Sequence, residues 1–489
     1  MPVPPTDVRP LDLDVLVVGA GISGVDAACR LSMHCPGTVW AVLEARDAVG
    51  GTWDLFRYPG IRSDSDMYTL GFPFRPWRGR ASMAGGAEIR DYVRATADEF
   101  GVTERTHHGQ RVERLEWSSE RARWSVTART AEGTVTHTAR FVYLATGYYS
   151  YASGHVVDLP ARDDFAGEVV HPQHWPQGME VAGRRVVVVG SGATAVTLVP
   201  ALVEEGAAHV TMLQRSPGYV AALPSRDVVA DALRRVLPDA VAHRVVRGKN
   251  VVLSTAGYQL VRRRPDLGRR LLRRRAMRQL PPGFAVDTHF APRYDPWDQR
   301  LCIAPDGDLF AVLSDGRAEV VTDTIERLDR DGIRLTSGRH LPADLVVTAT
   351  GLRMELGGGA EVLLDGEVVD VSRGHVYKGL MLSDVPNVAL AVGYTNASWT
   401  LRADLSARWF CSLVRFMDRK GYAVATPRYD EVGVEDTPLL GLTSGYVQRA
   451  AGILPRQGRR APWRVVQSYL HDLAVMRLGR IDDGHLELR

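Results

Sequence analysis

One pattern occurs twice in this chain, and it restricts the fold more than any other feature. Asp14-Val-Leu-Val-Val-Gly19 is a short apolar run ending in glycine, as a buried parallel strand does. It continues through Gly19-x-Gly21-x-x-Gly24, with Ser23 inside the loop, into a small-residue helix reaching about Leu31. Arg185-Val-Val-Val-Val-Gly190 leads in the same way into Gly190-x-Gly192-x-x-Ala195, with Thr194 inside the loop. In such a loop the first glycine permits the tight turn and the second lets a pyrophosphate approach the backbone. The third small residue lets the helix pack on the strand. The helix N-terminus then offers N–H groups and a positive dipole to phosphates. Each copy later closes on an apolar strand ending Ala-Thr-Gly, at residues 141–147 and 345–351. A chain built this way is expected to be α/β, with two tandem dinucleotide-binding, Rossmann-like units.

The copies differ where a dinucleotide differs. The strand of residues 38–43 ends in Glu44, 25 residues after Gly19; the strand of residues 210–213 is followed by Arg215, 25 residues after Gly190. A carboxylate there accepts hydrogen bonds from ribose hydroxyls and repels a 2′-phosphate, so the first site suits FAD. A guanidinium pairs with a 2′-phosphate, and the Ser216 hydroxyl could add a hydrogen bond, so the second site favours NADPH over NADH.

The bulk numbers exclude several alternatives. At 489 residues two or three domains are expected, and 45% hydrophobic residues can fill their cores. A net charge of +3 argues against a nucleic-acid binder. The four cysteines, Cys29, Cys35, Cys302 and Cys411, form no C-x-x-C pair. That disfavours a disulfide framework, a zinc site and a thiol reductase; it suits a reducing cytosol, and no metal is expected. No apolar run reaches the length of a membrane span, and Met1 to Pro10 reads as a short tail rather than a signal peptide. Residues 223–292 interrupt the second unit with amphipathic helical spacing, including Val261-Arg-Arg-Arg-Pro265 and an Arg-rich run to Arg278. Such helices either contact an anionic membrane surface weakly or present a solvated face.

Between the two loops the chain reads Phe165-x-Gly167-x-x-x-His171-x-x-x-Trp175-Pro176. After the first unit comes Gly50-Gly51-Thr52-Trp53, then Tyr58-Pro59-Gly60 and Asp64. Together these resemble the two signatures of the Baeyer–Villiger flavin monooxygenases, most nearly the ethionamide-activating subgroup. That resemblance covers almost the whole chain, including Asp295-Pro-Trp-Asp-Gln-Arg300-Leu-Cys302 and Val392-Gly-Tyr-Thr-Asn-Ala-Ser-Trp-Thr-Leu401. It implies that Trp53, Tyr58 and Asp64 run along the flavin and that the backbone around Val112 meets the adenine, although Val112 also reads as an ordinary strand valine. It implies that Arg300, oriented by Asp64 in a dry pocket, stabilises an anionic C4a-peroxyflavin. The resemblance makes His171 a hinge between domains, with a packed linker histidine as the alternative and a part in chemistry left open, and it makes the turn of residues 393–399 either a return to the flavin or an ordinary strand-to-helix join.

Two departures stand out. Gln299 replaces a lysine that many relatives carry before the arginine, leaving Arg215 more of the 2′-phosphate. The Ser-Trp-x-x-Gly-x-Asn motif of many cyclic-ketone enzymes is absent. The implied reaction uses FAD, NADPH and O2 to place one oxygen beside a ketone carbonyl, giving an ester or lactone, with sulfide oxidation alongside. The alternatives are a flavin-containing N- or S-monooxygenase, against which Trp175-Pro176 argues, and a flavin-binding redox module without turnover. The expected domains are FAD-binding (1–148 and 379–489), NADP-binding (149–222 and 293–378) and a helical insertion (223–292). The expected partners are a small ketone or sulfide and O2, with the oligomeric state open and the location cytoplasmic or peripheral to a membrane.

Overall fold

A computed structural model describes residues 9–430, 437–441, 445–450 and 452–489; most of the expected N-terminal tail and part of residues 379–489 lie outside the described residues. Two sheets organise the chain. In the first, Asp12–Val18 runs parallel to Trp40–Leu43 on one side and to Gly133–Leu144 on the other. Val15, Leu16 and Val17 are fully buried, because both faces of the strand are covered. The other half of Gly133–Leu144 belongs to an antiparallel meander with Arg111–Ser118 and Arg123–Thr130. Late in the chain, Val388–Leu390 adds in parallel beside residues 142–144. The first sheet is therefore completed by segments from both ends of the sequence.

The second sheet is wholly parallel, in the order Ala318–Thr322, His209–Gln214, Arg185–Val189, Leu345–Thr348, Glu168–Val170. Its edge strand, Glu168–Val170, lies inside the fingerprint. Where the chain passes between the units, Tyr149–Gly154 pairs antiparallel with Leu352–Met354, so the two crossings run side by side. One expected boundary is corrected here. Glu361–Leu364, assigned from sequence to the NADP segment ending at 378, pairs with Arg111–Ser118 of the first sheet. The second unit thus gives way to the first before residue 361. A four-residue strand has too short an alternation to reveal which sheet it joins.

The insertion consists of Val228–Val236, Asp239–Arg263, Pro265–Gln279 and Val286–His289. Its first helix starts at Asp227, whose carboxylate accepts from the N–H groups of Val229 and Ala230 at 3.1 Å each. Pro265 opens the third, where its missing N–H costs no intrahelical bond. Buried Arg247 pins the long helix to the first unit by donating to the carbonyls of Tyr68, Thr69 and Gly71 at 2.7, 3.2 and 2.8 Å. Among the described residues, no helix is long and apolar enough to cross a membrane.

Inside the first unit, Ile22–His34 packs against Trp399–Lys420, and Arg30 Nε donates to Asp404 Oδ1 at 2.8 Å in the buried seam. Asp26 is fully buried beside them, with its carboxyl against that of Asp404. Burial, and then the Asp404 charge, push its pKa well above the usual carboxylate range. The folded chain therefore holds a proton that the unfolded chain has already released. This contribution to stability is complete below about pH 4, where the unfolded carboxyl is also protonated, and is lost as pH rises through the raised folded pKa. Asp26→Asn, which mimics the neutral carboxyl, is expected to flatten the fall of the urea midpoint with rising pH; parallel wild-type and variant profiles would refute this.

Candidate active site

The two glycine loops repeat in atomic detail. Gly19 has φ +101°, and a Cβ there would sit 2.7 Å from the carbonyl oxygen of Ala145; Gly190 has φ +147°, and its Cβ would sit 2.3 Å from that of Ala349. Both carbonyls belong to the Ala-Thr-Gly strand ends, so each closing strand forms the floor of its own loop. The third positions differ. A Cβ on Gly24 would lie 1.8 Å from the Gly19 carbonyl oxygen, whereas the second copy accommodates fully buried Ala195. Gly21 and Gly192 precede their helices without a side-chain cap, and space beside Gly192 is open. Both helix N-termini thus keep the bare N–H groups that a pyrophosphate requires.

Glu44 ends its strand buried. Its Oε2 accepts from Ala20 N–H at 2.6 Å and its Oε1 from Arg46 N–H at 2.9 Å, while burial raises its pKa. The carboxylate therefore also shapes the first loop. Arg215 and Ser216 follow the strand His209–Gln214 and are both exposed at its end. These residues fit one dinucleotide on each unit: backbone cradles where a side chain would collide, a carboxylate for a ribose in one and a guanidinium for a phosphate in the other.

A cleft of about 280 Å³ lies between the units. It is lined by Gly21, Ser23, Trp53, Tyr58 and Asp64 from the first unit and by Thr194 and Arg300 from the second. Arg300 Nη2 meets Asp64 Oδ1 at 3.0 Å. The dry setting expected for this pair is not found, since the side chains are 42% and 22% exposed. The reason is position: both stand on the wall of an open cleft. The Tyr58-Pro59-Gly60 turn docks against the second unit. A Cβ on Gly60 (φ +73°) would fall 2.6 Å from Ala201 Cβ and 3.0 Å from the Thr197 carbonyl oxygen, so only glycine allows this approach. Tyr58 hydrogen-bonds Thr194 there, and burial pushes its phenol up to about 12.

The fingerprint residues lie beside the chain crossings, outside this cleft. Phe165 is buried in the second unit's core, and a Cβ on Gly167 would strike both the Phe165 ring and the Asp344 carbonyl. His171 Nδ1 accepts from Gln173 N–H at 3.1 Å, and its Nε2–H donates to the Gly351 carbonyl at 3.3 Å. Its ring fills the space that a side chain on Gly154 would need. Burial lowers its pKa, which matches the neutral tautomer those bonds require. Trp175 stands in a second cleft with Arg46, Asp54, Arg57 and Arg94. Val112 is buried in the first sheet's core, in the strand that begins beside the Gln110–Glu44 backbone bond.

Some cleft residues escaped the sequence reading. Tyr148, Tyr149 and Tyr151 follow the first Ala-Thr-Gly directly, and Tyr149 donates to Thr52 Oγ1 at 2.6 Å. Their place at a strand's C-terminal end beside a glycine loop was the available signal. The 393–399 turn does reach the cleft: the Trp399 ring stacks on Tyr148 with centroids 4.9 Å apart, and its Nε1–H donates to Ser23 Oγ at 2.8 Å. Tyr394 lines the cleft too, and its hydroxyl donates to buried Asp472 at 2.6 Å. A narrower apolar branch opens past Arg300 and Trp399, bounded by Met354, Leu356, Leu439, Leu440 and Leu454.

One mixed sheet and one parallel sheet, each offering a glycine loop and sharing one cleft, define a two-dinucleotide flavoprotein. Comparison with known proteins agrees. The NAD(P)-binding Rossmann-like domain family matches residues 17–78, and the L-lysine 6-monooxygenase/L-ornithine 5-monooxygenase family matches residues 83–227. The solved structure of an oxidized steroid monooxygenase bound to NADP superposes with a TM-score of 0.77 at 22% identity, covering 98% of this chain and 99% of that one. The FAD-containing monooxygenase EthA of Mycobacterium tuberculosis is 50% identical over 475 residues, covering 97% of both chains. That of Mycolicibacterium smegmatis is 48% identical, covering 97% of this chain and 96% of the relative. The chain belongs to this family of FAD-containing monooxygenases.

Proposed function

We propose that the protein uses NADPH and O2 to insert one oxygen atom beside a ketone carbonyl, giving an ester or lactone, and that it also oxygenates sulfides. The observation that carries this reading is the Arg300–Asp64 pair, placed on the wall of a cleft that touches both glycine loops. Bound FAD, once reduced, supplies activated oxygen. Arg300 offers a fixed cation where negative charge develops. Asp64 orients that guanidinium and offsets its charge. The apolar branch takes the hydrocarbon part of the substrate, with its carbonyl turned toward Arg300. Trp399 and Tyr148 form an aromatic wall, and the His171 contacts hold the two chain crossings in step. Four free, buried cysteines suit a cytosolic enzyme.

The test is a product assay on the purified, FAD-loaded chain with NADPH, ¹⁸O2, linear ketones and a thioether. One labelled oxygen per ester or sulfoxide is expected; NADPH oxidation yielding only hydrogen peroxide across the panel would overturn the reading. The partial match to amine hydroxylases over residues 83–227 gives a second reading, N-oxygenation, which ornithine and lysine in the same panel address.

Coenzyme choice is assigned to Arg215. A hydrogen bond to a charged group is worth about 1.5–3 kcal/mol. Arg215→Ala is therefore expected to raise the KM for NADPH by about 10- to 100-fold while leaving that for NADH unchanged. Steady-state kinetics with both coenzymes check this, and an equal change in the two would remove Arg215 from the role.

A further inference from the structure

We propose that the helical insertion is a docking surface for an anionic lipid bilayer. Residues 223–292 carry fifteen Arg or Lys and five Asp, a net charge of +10 in a chain whose total is +3. The rest of the protein is thus net acidic, and the basic charge is concentrated on one element. The same element is unusually apolar outside. Of seventeen exposed large hydrophobic side chains among the described residues, eleven lie between Val228 and Met277. Scattered singly they would need no explanation. On the long helix Asp239–Arg263, however, they follow helical spacing: Val241, Val245, Val252 and Leu260 share one face, 41–55% exposed. The opposite face, with Val246, Arg247 and Val251, is buried against the first unit. Exposed arginines flank the stripe, among them Arg244 and Arg263, and the next helix adds Arg270, Arg274 and Arg275 beside exposed Leu267 and Leu271.

An apolar stripe flanked by arginines matches the headgroup–acyl boundary of an anionic leaflet, which takes up both the hydrocarbon and the charge. A second copy of this chain would bring a like charge to the same face and be repelled. A nucleic acid would leave the stripe uncovered. The inference rests on the proposed reaction only for its purpose: Val251, on the buried face, packs with Tyr394 of the cleft wall, so one helix separates the docked surface from the site of an apolar substrate.

The test is vesicle flotation of the FAD-loaded full chain, which reads binding without reading turnover. Vesicles of phosphatidylcholine with phosphatidylglycerol are compared with phosphatidylcholine alone, at low and physiological salt. Binding at least about tenfold tighter to the anionic vesicles, weakening with salt, is expected. Val252→Glu/Leu260→Glu and Arg270→Glu/Arg274→Glu/Arg275→Glu should each weaken partition by about tenfold or more, with NADPH oxidation in solution unchanged. Absent binding, equal binding to neutral vesicles, or wild-type partition of both variants would overturn the proposal. So would light scattering that shows a dimer broken by Val252→Glu/Leu260→Glu.

Discussion

Arg300→Ala is expected to uncouple the enzyme: FAD stays bound, NADPH is still oxidised, and ester formation falls by about 10²- to 10³-fold, the range seen when one fixed donor to a developing charge is lost. The electrons then leave as hydrogen peroxide. The prediction follows from location. Arg300 stands on the cleft wall with Asp64 and takes no part in either glycine loop, so its loss spares the cradles. Paired assays of NADPH consumption, peroxide and ester check it. Arg300→Lys should recover little, since an ammonium cannot reproduce the planar fork facing Asp64. Wild-type coupling in Arg300→Ala would show that the oxygen is controlled elsewhere in the cleft.

Gly24→Ala should be more damaging than any substitution on the cleft wall. Its Cβ would lie 1.8 Å from the carbonyl oxygen of Gly19, a backbone atom that cannot turn away without opening the loop. Forcing it in is expected to cost about 3 kcal/mol or more, and to release FAD because the strand and helix must part where the pyrophosphate binds. Calorimetry and the flavin absorbance of the purified variant report the two effects. The second copy supplies the control: Ala195→Gly, which removes a fully buried methyl and adds chain freedom within a helix, should cost only about 1 kcal/mol and leave FAD in place. Normal flavin content in Gly24→Ala would mean that the first helix can shift freely, contrary to its buried seam with Trp399–Lys420.

What the sequence could tell depended on how far apart the interacting residues stand. The glycine loops, Glu44, Arg215 and the Ala-Thr-Gly ends were legible because strand, turn and helix follow one another within a few residues, and each has a local steric or electrostatic reason. The Arg300–Asp64 pair spans 236 residues and came from resemblance, not spacing. Nothing local marked Glu361–Leu364 as a strand of the first sheet, because its partner Arg111–Ser118 lies about 250 residues earlier. The open setting of Arg300 was equally hidden, as exposure depends on how two separately folded units face each other. Tyr394 and Asp472 illustrate the same limit: each looks ordinary until the fold brings the C-terminal helix beneath the cleft.

The nested arrangement of the units also sets an order of events during synthesis. All five strands of the second sheet lie between residues 168 and 348, so that sheet can close while the remainder is still on the ribosome. The first sheet must wait for Val388–Leu390, and its helix seam for the Arg30–Asp404 contact across 374 residues. Until residues 399–420 are made, the Ile22–His34 helix lacks its partner Trp399–Lys420, and the face it buries there stays open. A nascent chain stalled before residue 388 should therefore depend on holdase chaperones, and a premature stop there would yield an assembled coenzyme domain with no home for its flavin.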